Sequence, residues 1–180
     1  MYAFPDWRAA PADDVPAALA DWLGETGSLT ERLVGLGRGF AVVVLTQHTA
    51  QAWPDECQAL GLPANATVQL REVALTLDGM PYVFARSLCR QDSPVWTPVL
   101  ARGSRSLGLT LFADSGMLRH PLQFITGQPA QLALLAQAQQ ACWPDLSGPL
   151  AARRSLFGAV NDALLVHEVF HPDLVTVSPP

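Results

Sequence analysis

The chain has 180 residues, 49% of them hydrophobic and 15% charged, with a formal net charge of −5. That composition supplies a hydrophobic core for one domain, and it argues against nucleic acid as the main partner, because phosphate binding needs clustered Lys and Arg. All 11 basic side chains are arginine, which excludes a lysine Schiff base, a pyridoxal phosphate anchor and a Walker lysine, and leaves cations suited to forked binding of carboxylates.

Residues 1–14, with Pro5 and Pro11, are expected as an irregular arm. Asp13-Asp14-Val15-Pro16 marks a helix start, with acids at the positive end of the dipole; the helix runs through Ala17–Leu23 and stops near Gly24. Ser28 with Glu31 three residues on is a capping-box pattern for a short second helix that ends around Gly35 to Gly37. Valine-rich Phe40–Thr46 predicts a buried strand, and residues 52–66, with Pro54, Gly61 and Pro63, read as a connection. Val68–Leu77 and Tyr82–Cys89 are strands flanking Asp78-Gly79, a hairpin signal. Residues 94–118 hold short helical pieces, including Leu107–Phe112. Leu122–Thr126 reads as a strand, Gln131–Ala141 as a helix and Trp143–Pro149 as a loop. Arg153–Val160 and Ala163–His171 form a second hairpin around Asn161-Asp162, and the tail frays from Pro172. Five or six strands, mostly joined by hairpins, predict an α+β fold: a single antiparallel sheet with short helices packed on one side. Residues 1–180 are read as one domain, with 128–149 a surface insertion.

Two strand faces carry an unexpected charge. Side chains alternate along a strand, so Leu164, Val166, Glu168 and Phe170 share one face, and Arg71, Val73, Leu75 and Leu77 share another. A buried carboxylate requires a partner or a raised pKa. Opposite charges on two apolar faces point to a closed polar site; the plain alternative is a structural Arg71–Glu168 ion pair. The same alternation sends Arg153 and Arg154 to opposite faces.

Cys57, Cys89 and Cys142 are widely spaced and odd in number, which suits a reducing cytosol better than a disulfide framework. His167 and His171 stand four apart, but on a strand with Pro172 following, so no metal site is expected. Met1 to Ala20 has no apolar signal core, and no window approaches the roughly 18 apolar residues of a membrane span. A cytoplasmic monomer without cofactor or stable membrane insertion is expected.

Taken in order, several motifs resemble the chorismate–pyruvate lyase family. They are Asp21-Trp22-Leu23, Ser28-Leu29-Thr30-Glu31-Arg32, Leu70-Arg71-Glu72-Val73, Asp78-Gly79-Met80-Pro81 and Ala85-Arg86. Leu107-Gly108 with Leu111-Phe112, Arg153-Arg154, and His167-Glu168-Val169-Phe170 before Pro172 complete the set. The resemblance implies a sheet with helical flaps over an internal pocket, and a cofactor-free conversion of chorismate to 4-hydroxybenzoate and pyruvate, the entry to ubiquinone biosynthesis. It implies that Arg71 and Glu168 are the catalytic pair, Arg71 binding the ring carboxylate and Glu168 facing the ring hydroxyl. The backbone amides of Leu29 and Leu107 would also hold the carboxylate, and Arg86, Arg153 and Arg154 are candidates for the enolpyruvyl carboxylate. Leu29 stands where the family usually has methionine, and Ala85 where glycine commonly precedes the arginine. On this reading the charged ends of Arg71 and Glu168 are separated by a ring and two hydrogen bonds, on the order of 10 Å. A non-catalytic binding domain for an aromatic acid, like the ligand-sensing domains of bacterial transcription regulators, is the second reading. Against it, the segment before Phe40 is short for a DNA-reading module and carries few basic side chains.

Overall fold

The computed structural model describes residues 2–101, 103–113, 117–159 and 161–179. The elements begin with α1 (Ala17–Leu23), α2 (Leu29–Val34), β1 (Phe40–Gln51), α3 (Pro54–Leu60), β2 (Thr67–Leu77) and β3 (Met80–Arg90). They continue with α4 (Trp96–Leu100), α5 (Leu107–Ala113), β4 (Gln123–Gly127), α6 (Ala133–Cys142), β5 (Leu150–Ala159) and β6 (Asp162–Phe170), and a 3-10 helix, Pro172–Thr176, follows. The six strands make one antiparallel sheet in the order β1-β2-β3-β6-β5-β4. Asp78 and Gly79, with φ of 50° and 83°, join β2 to β3 in two residues, the left-handed pair that a tight hairpin requires. Val160 lies outside the described residues; the second hairpin is fixed by its register, with Ala159 opposite Asp162.

Helices cover both faces of the sheet, not one. On the first face, α1 and α2 bring Leu19, Leu23 and Leu33 against Val73, Leu75 and Phe170, while Trp96 and Leu100 of α4 and Leu111 of α5 meet Cys89, Phe157 and Leu164. On the second face, Leu135 and Ala138 of α6 pack on Phe84, Ala152 and Val169, and Cys57 and Leu60 of α3 pack on Leu70, Leu88 and Leu165. The cause is written in β3, where every residue from Val83 to Cys89 is buried. A strand buried on both sides needs a cover on each.

The packing on the two faces corrects three expectations. Residues 128–149 are not a surface insertion, because α6 lies within them and buries Leu135 and Ala138 completely. Residues 52–66 are more than a connection: Pro54 is the first residue of α3, where its missing N–H costs nothing. The segment from Pro172 does not fray; its 3-10 helix buries Leu174 against the α1 side of the core.

β1 is a fourth correction. It runs to Gln51, and Val43, Val44 and Leu45 are exposed rather than buried. It is an edge strand, and a register shift between Val44 and Thr46 breaks its pairing with β2. Such irregularity is one way edge strands discourage further pairing. Valine's preference for a pleated backbone makes a strand whether or not the strand is covered.

Candidate active site

Alternation along the central strands builds a cavity on the first face. Arg71 and Val73 of β2, Ala85 and Ser87 of β3, and Val166 and Glu168 of β6 form its floor. Arg153 and Ser155 of β5 extend that floor, and Leu29 and Thr30 of α2 with Leu107, Gly108 and Phe112 of α5 close over it. The atom-free space of about 590 Å³ around these side chains includes solvent at the mouth, and the room for water-sized spheres inside the cavity is about 50 Å³.

Arg71 is opposite Ser87, and Glu168 is opposite Ala85, two residues along β3 on the same face. The two charged residues are therefore two strands and two residues apart, about 12 Å between Cα atoms at ordinary sheet spacings. They form no ion pair with each other. Arg71 Nη2 instead donates to the backbone carbonyls of Gly103 (2.6 Å) and Arg105 (3.1 Å), in the turn before α5. Its Nε is buried without a partner, and burial lowers its pKa. Glu168 accepts from Nε of Arg153, its direct neighbour across β5, at 2.5 Å. Arg153 is almost wholly buried and also donates to the carbonyls of Leu23 (2.9 Å) and Glu25 (2.7 Å) at the end of α1.

Leu29 and Leu107 are the first residues of α2 and α5. Their N–H groups belong to the first helical turn, which has no intrahelical acceptors. Ser28 caps α2 as its spacing predicts, accepting from Glu31 N at 3.2 Å. Thr30 and Ser106 share a hydrogen bond of 2.6 Å that draws the two helix starts together. Gly108 permits this approach: a Cβ there would lie 2.7 Å from Thr30 Oγ1. Gly108→Ala is therefore expected to push α5 off α2 and to weaken binding of a benzoate-type probe at the two helix starts about tenfold, the worth of a hydrogen bond to a charged group. Alanine's better helix propensity, about 1 kcal/mol, should keep the melting temperature near the parent value. Calorimetric titration and a thermal melt check the pair of outcomes.

Arg86 and Arg154, candidates for a second substrate carboxylate, point to the other face of the sheet and do not reach the cavity. Arg86 grips Glu56 with Nε (2.7 Å) and Nη2 (3.0 Å) and Glu72 with Nη1 (2.7 Å), under the Trp53 ring at 3.7 Å. Burial alone would lower its pKa; the bonds to Glu56 and Glu72 reverse the sign. Arg154 pairs with Asp55 at 3.2 Å and Gln123 at 2.8 Å. Trp7 of the N-terminal arm also donates to Asp55, at 3.1 Å. This polar layer fastens α3, α6 (through Gln137 to Glu72, 3.1 Å) and the arm to the sheet.

His167 lies within that layer, with Nδ1 at 3.9 Å from Glu56, beyond hydrogen-bonding distance. Burial, then the nearby Arg154 and Arg86, hold its pKa well below the usual imidazole range, so it is neutral in the fold. Below about pH 6.5 the unfolded chain binds a proton that the folded chain does not, and stability falls with pH by about 1 kcal/mol per unit from this group. His167→Gln should flatten that acid limb between about pH 6.5 and 5 in urea melts taken at stepped pH.

One cavity residue had no sequence signal. Arg119 falls between the helical pieces and β4, where neither period of apolar residues marks a facing side. Its Nη1 donates to Thr26 O at 2.6 Å and its Nε to Ser155 Oγ at 3.4 Å, and its guanidinium carbon lies 5.3 and 5.4 Å from the Phe112 and Phe157 ring centres.

Fold and site together define a small α+β domain with a cavity between buried arginines and the starts of two short helices. The chorismate lyase family profile matches residues 6–177. A probable chorismate pyruvate-lyase of Aromatoleum aromaticum is 41% identical over 170 residues, covering 93% of this chain and 92% of that one. Another, from Pseudomonas putida, is 40% identical over 166 residues, 91% of this chain and 85% of its own. The chain belongs to the chorismate lyase family. Its fold is also similar to the effector domain of PhnF from Mycobacterium smegmatis, with a TM-score of 0.55 and 18% identity over 83% of this chain and 91% of that domain. Among the described residues, no helix is long and apolar enough to cross a membrane.

Proposed function

We propose that this protein is a chorismate lyase that converts chorismate to 4-hydroxybenzoate and pyruvate. The observation that carries the proposal is Arg71: a buried guanidinium with no carboxylate partner among the described residues and an unsatisfied Nε, facing a cavity whose far side holds Glu168. An organic acid placed there takes a forked bond from Arg71. The N–H groups of Leu29 and Leu107, at the two helix starts, add donors to the same carboxylate. The opposite end of the ring then meets Glu168, whose orientation Arg153 fixes.

The chemistry is internal to the substrate. The ether bond between ring and enolpyruvyl group breaks, and the hydrogen on the hydroxyl-bearing ring carbon is lost as a proton. That electron pair completes the aromatic ring, and the departing enolpyruvate gains a proton at its methylene carbon and leaves as pyruvate. The protein's part is to hold a dianion in the reactive pose and to keep water out. Glu168 holds the ring hydroxyl, which positions the adjacent C–H bond for the transfer.

The test is to incubate the pure protein with chorismate and couple pyruvate release to NADH oxidation. No pyruvate above the spontaneous rate overturns the proposal. We place the activity in the cytoplasm, as a monomer, at the entry to ubiquinone biosynthesis. Ubiquinone should disappear in a strain lacking the protein and return on added 4-hydroxybenzoate. The likeness to the PhnF effector domain favours a second reading, a binding domain; tight retention of 4-hydroxybenzoate without turnover would select it.

A further inference from the structure

Among the described residues, three guanidiniums line the cavity: Arg71, Arg119 and Arg153. Arg153 is neutralised by Glu168. Among the described residues, neither Arg71 nor Arg119 has an ion-pair partner, and these two are the positive charges of the cavity that those residues leave uncompensated. They stand at opposite ends. Arg71 is on β2, whereas Arg119 bonds to Ser155 on β5, three strands away in the same row of the sheet. Strand spacing puts those two strands about 14 Å apart. Glu168 is on the strand beside Ser155, at the Arg119 end.

Chorismate also has two charges. Its ring carboxylate is para to the hydroxyl, and its enolpyruvyl carboxylate hangs from the ring carbon next to that hydroxyl. With the ring carboxylate on Arg71 and the hydroxyl on Glu168, the second carboxylate falls at the Arg119 end. We infer that Arg119 is the subsite for the enolpyruvyl carboxylate, an assignment that rests on the chorismate reading. Thr26 O and Ser155 Oγ hold Nη1 and Nε of Arg119 in place, and the Phe112 and Phe157 rings flank it. Burial, with Arg153 nearby, depresses its pKa, and Glu168 only partly opposes this. An anion arriving there relieves a strained charge. Loss of the ether bond then frees pyruvate from Arg119 while the monoanionic ring acid stays on Arg71.

The test compares two ligands by calorimetry on the parent protein, Arg119→Gln and Arg119→Lys. 4-Hydroxybenzoate carries one carboxylate. The aromatic ether 3-(1-carboxyvinyloxy)-4-hydroxybenzoate carries both and cannot aromatise further. Arg119→Gln, which keeps a donor for Thr26, should weaken the dicarboxylate about 10- to 100-fold, the loss of a charge-assisted hydrogen bond, and leave 4-hydroxybenzoate binding essentially unchanged. Arg119→Lys should recover part of the loss, and the KM for chorismate should follow the dicarboxylate. Equal weakening of both ligands, or of neither, overturns the inference. A parent protein that binds both ligands but releases no pyruvate from chorismate would sink the catalytic reading and leave the subsite standing. Binding of neither ligand would overturn both.

Discussion

Arg71→Ala is expected to weaken 4-hydroxybenzoate binding by about two to three orders of magnitude, the scale of removing one member of a buried, hydrogen-bonded charge pair. The melting temperature of the unliganded protein should move by no more than a few degrees. Arg71 is buried at 3% exposure without a counter-ion among the described residues, so its charge is a stability liability until a ligand arrives. The bonds lost are to carbonyls of Gly103 and Arg105, residues that water reaches. Arg71→Met, which keeps the side-chain volume, should melt at or above the parent temperature while losing the ligand. A large fall in melting temperature with binding intact would assign Arg71 to the scaffold.

Arg86→Met should have the opposite signature. It strands Glu56 and Glu72, which are 0% and 2% exposed, and uncompensated buried charge costs about 3–5 kcal/mol. For a chain of this size that is a drop in melting temperature of roughly 10–15 °C. Turnover of chorismate at low temperature should survive, because Arg86 faces away from the cavity. Replacing Glu56, Glu72 and Arg86 together with apolar residues of similar volume should restore most of the loss. A variant that melts like the parent but loses turnover would place Arg86 in the site instead.

The contrast between these two arginines shows what the sequence discloses. Arg71 and Arg86 both lie on strands with apolar neighbours, and alternation alone does not say which face looks into a cavity. The charged pair Arg71 and Glu168 was legible as a misfit on two apolar faces, but Glu168's partner, Arg153, depends on which strands are neighbours. The order β3-β6-β5 brings Glu168 against Arg153. The hairpins were legible from Asp78-Gly79 and Asn161-Asp162, because turn chemistry is local. The cover on the second face was not. Pro54 reads as a breaker unless it is known to start a helix, and the leucines of α6 identify a helix without saying what it covers. Arg119 stayed hidden because its place in the cavity is set by Thr26 and Ser155, 93 and 36 residues away in sequence.

Adjacent residues in the central strands thus serve different masters. Arg71, Ala85, Ser87, Arg153 and Glu168 look into the cavity, and their immediate neighbours Glu72, Arg86, Arg154 and His167 hold the second face. Selection acting on the ligand and selection acting on abundance in the cell therefore read alternate letters of the same short words. A lineage of such proteins can exchange its ligand through one set of positions while the other set keeps the molecule folded, and a single inserted residue in β5 or β6 would scramble both messages at once.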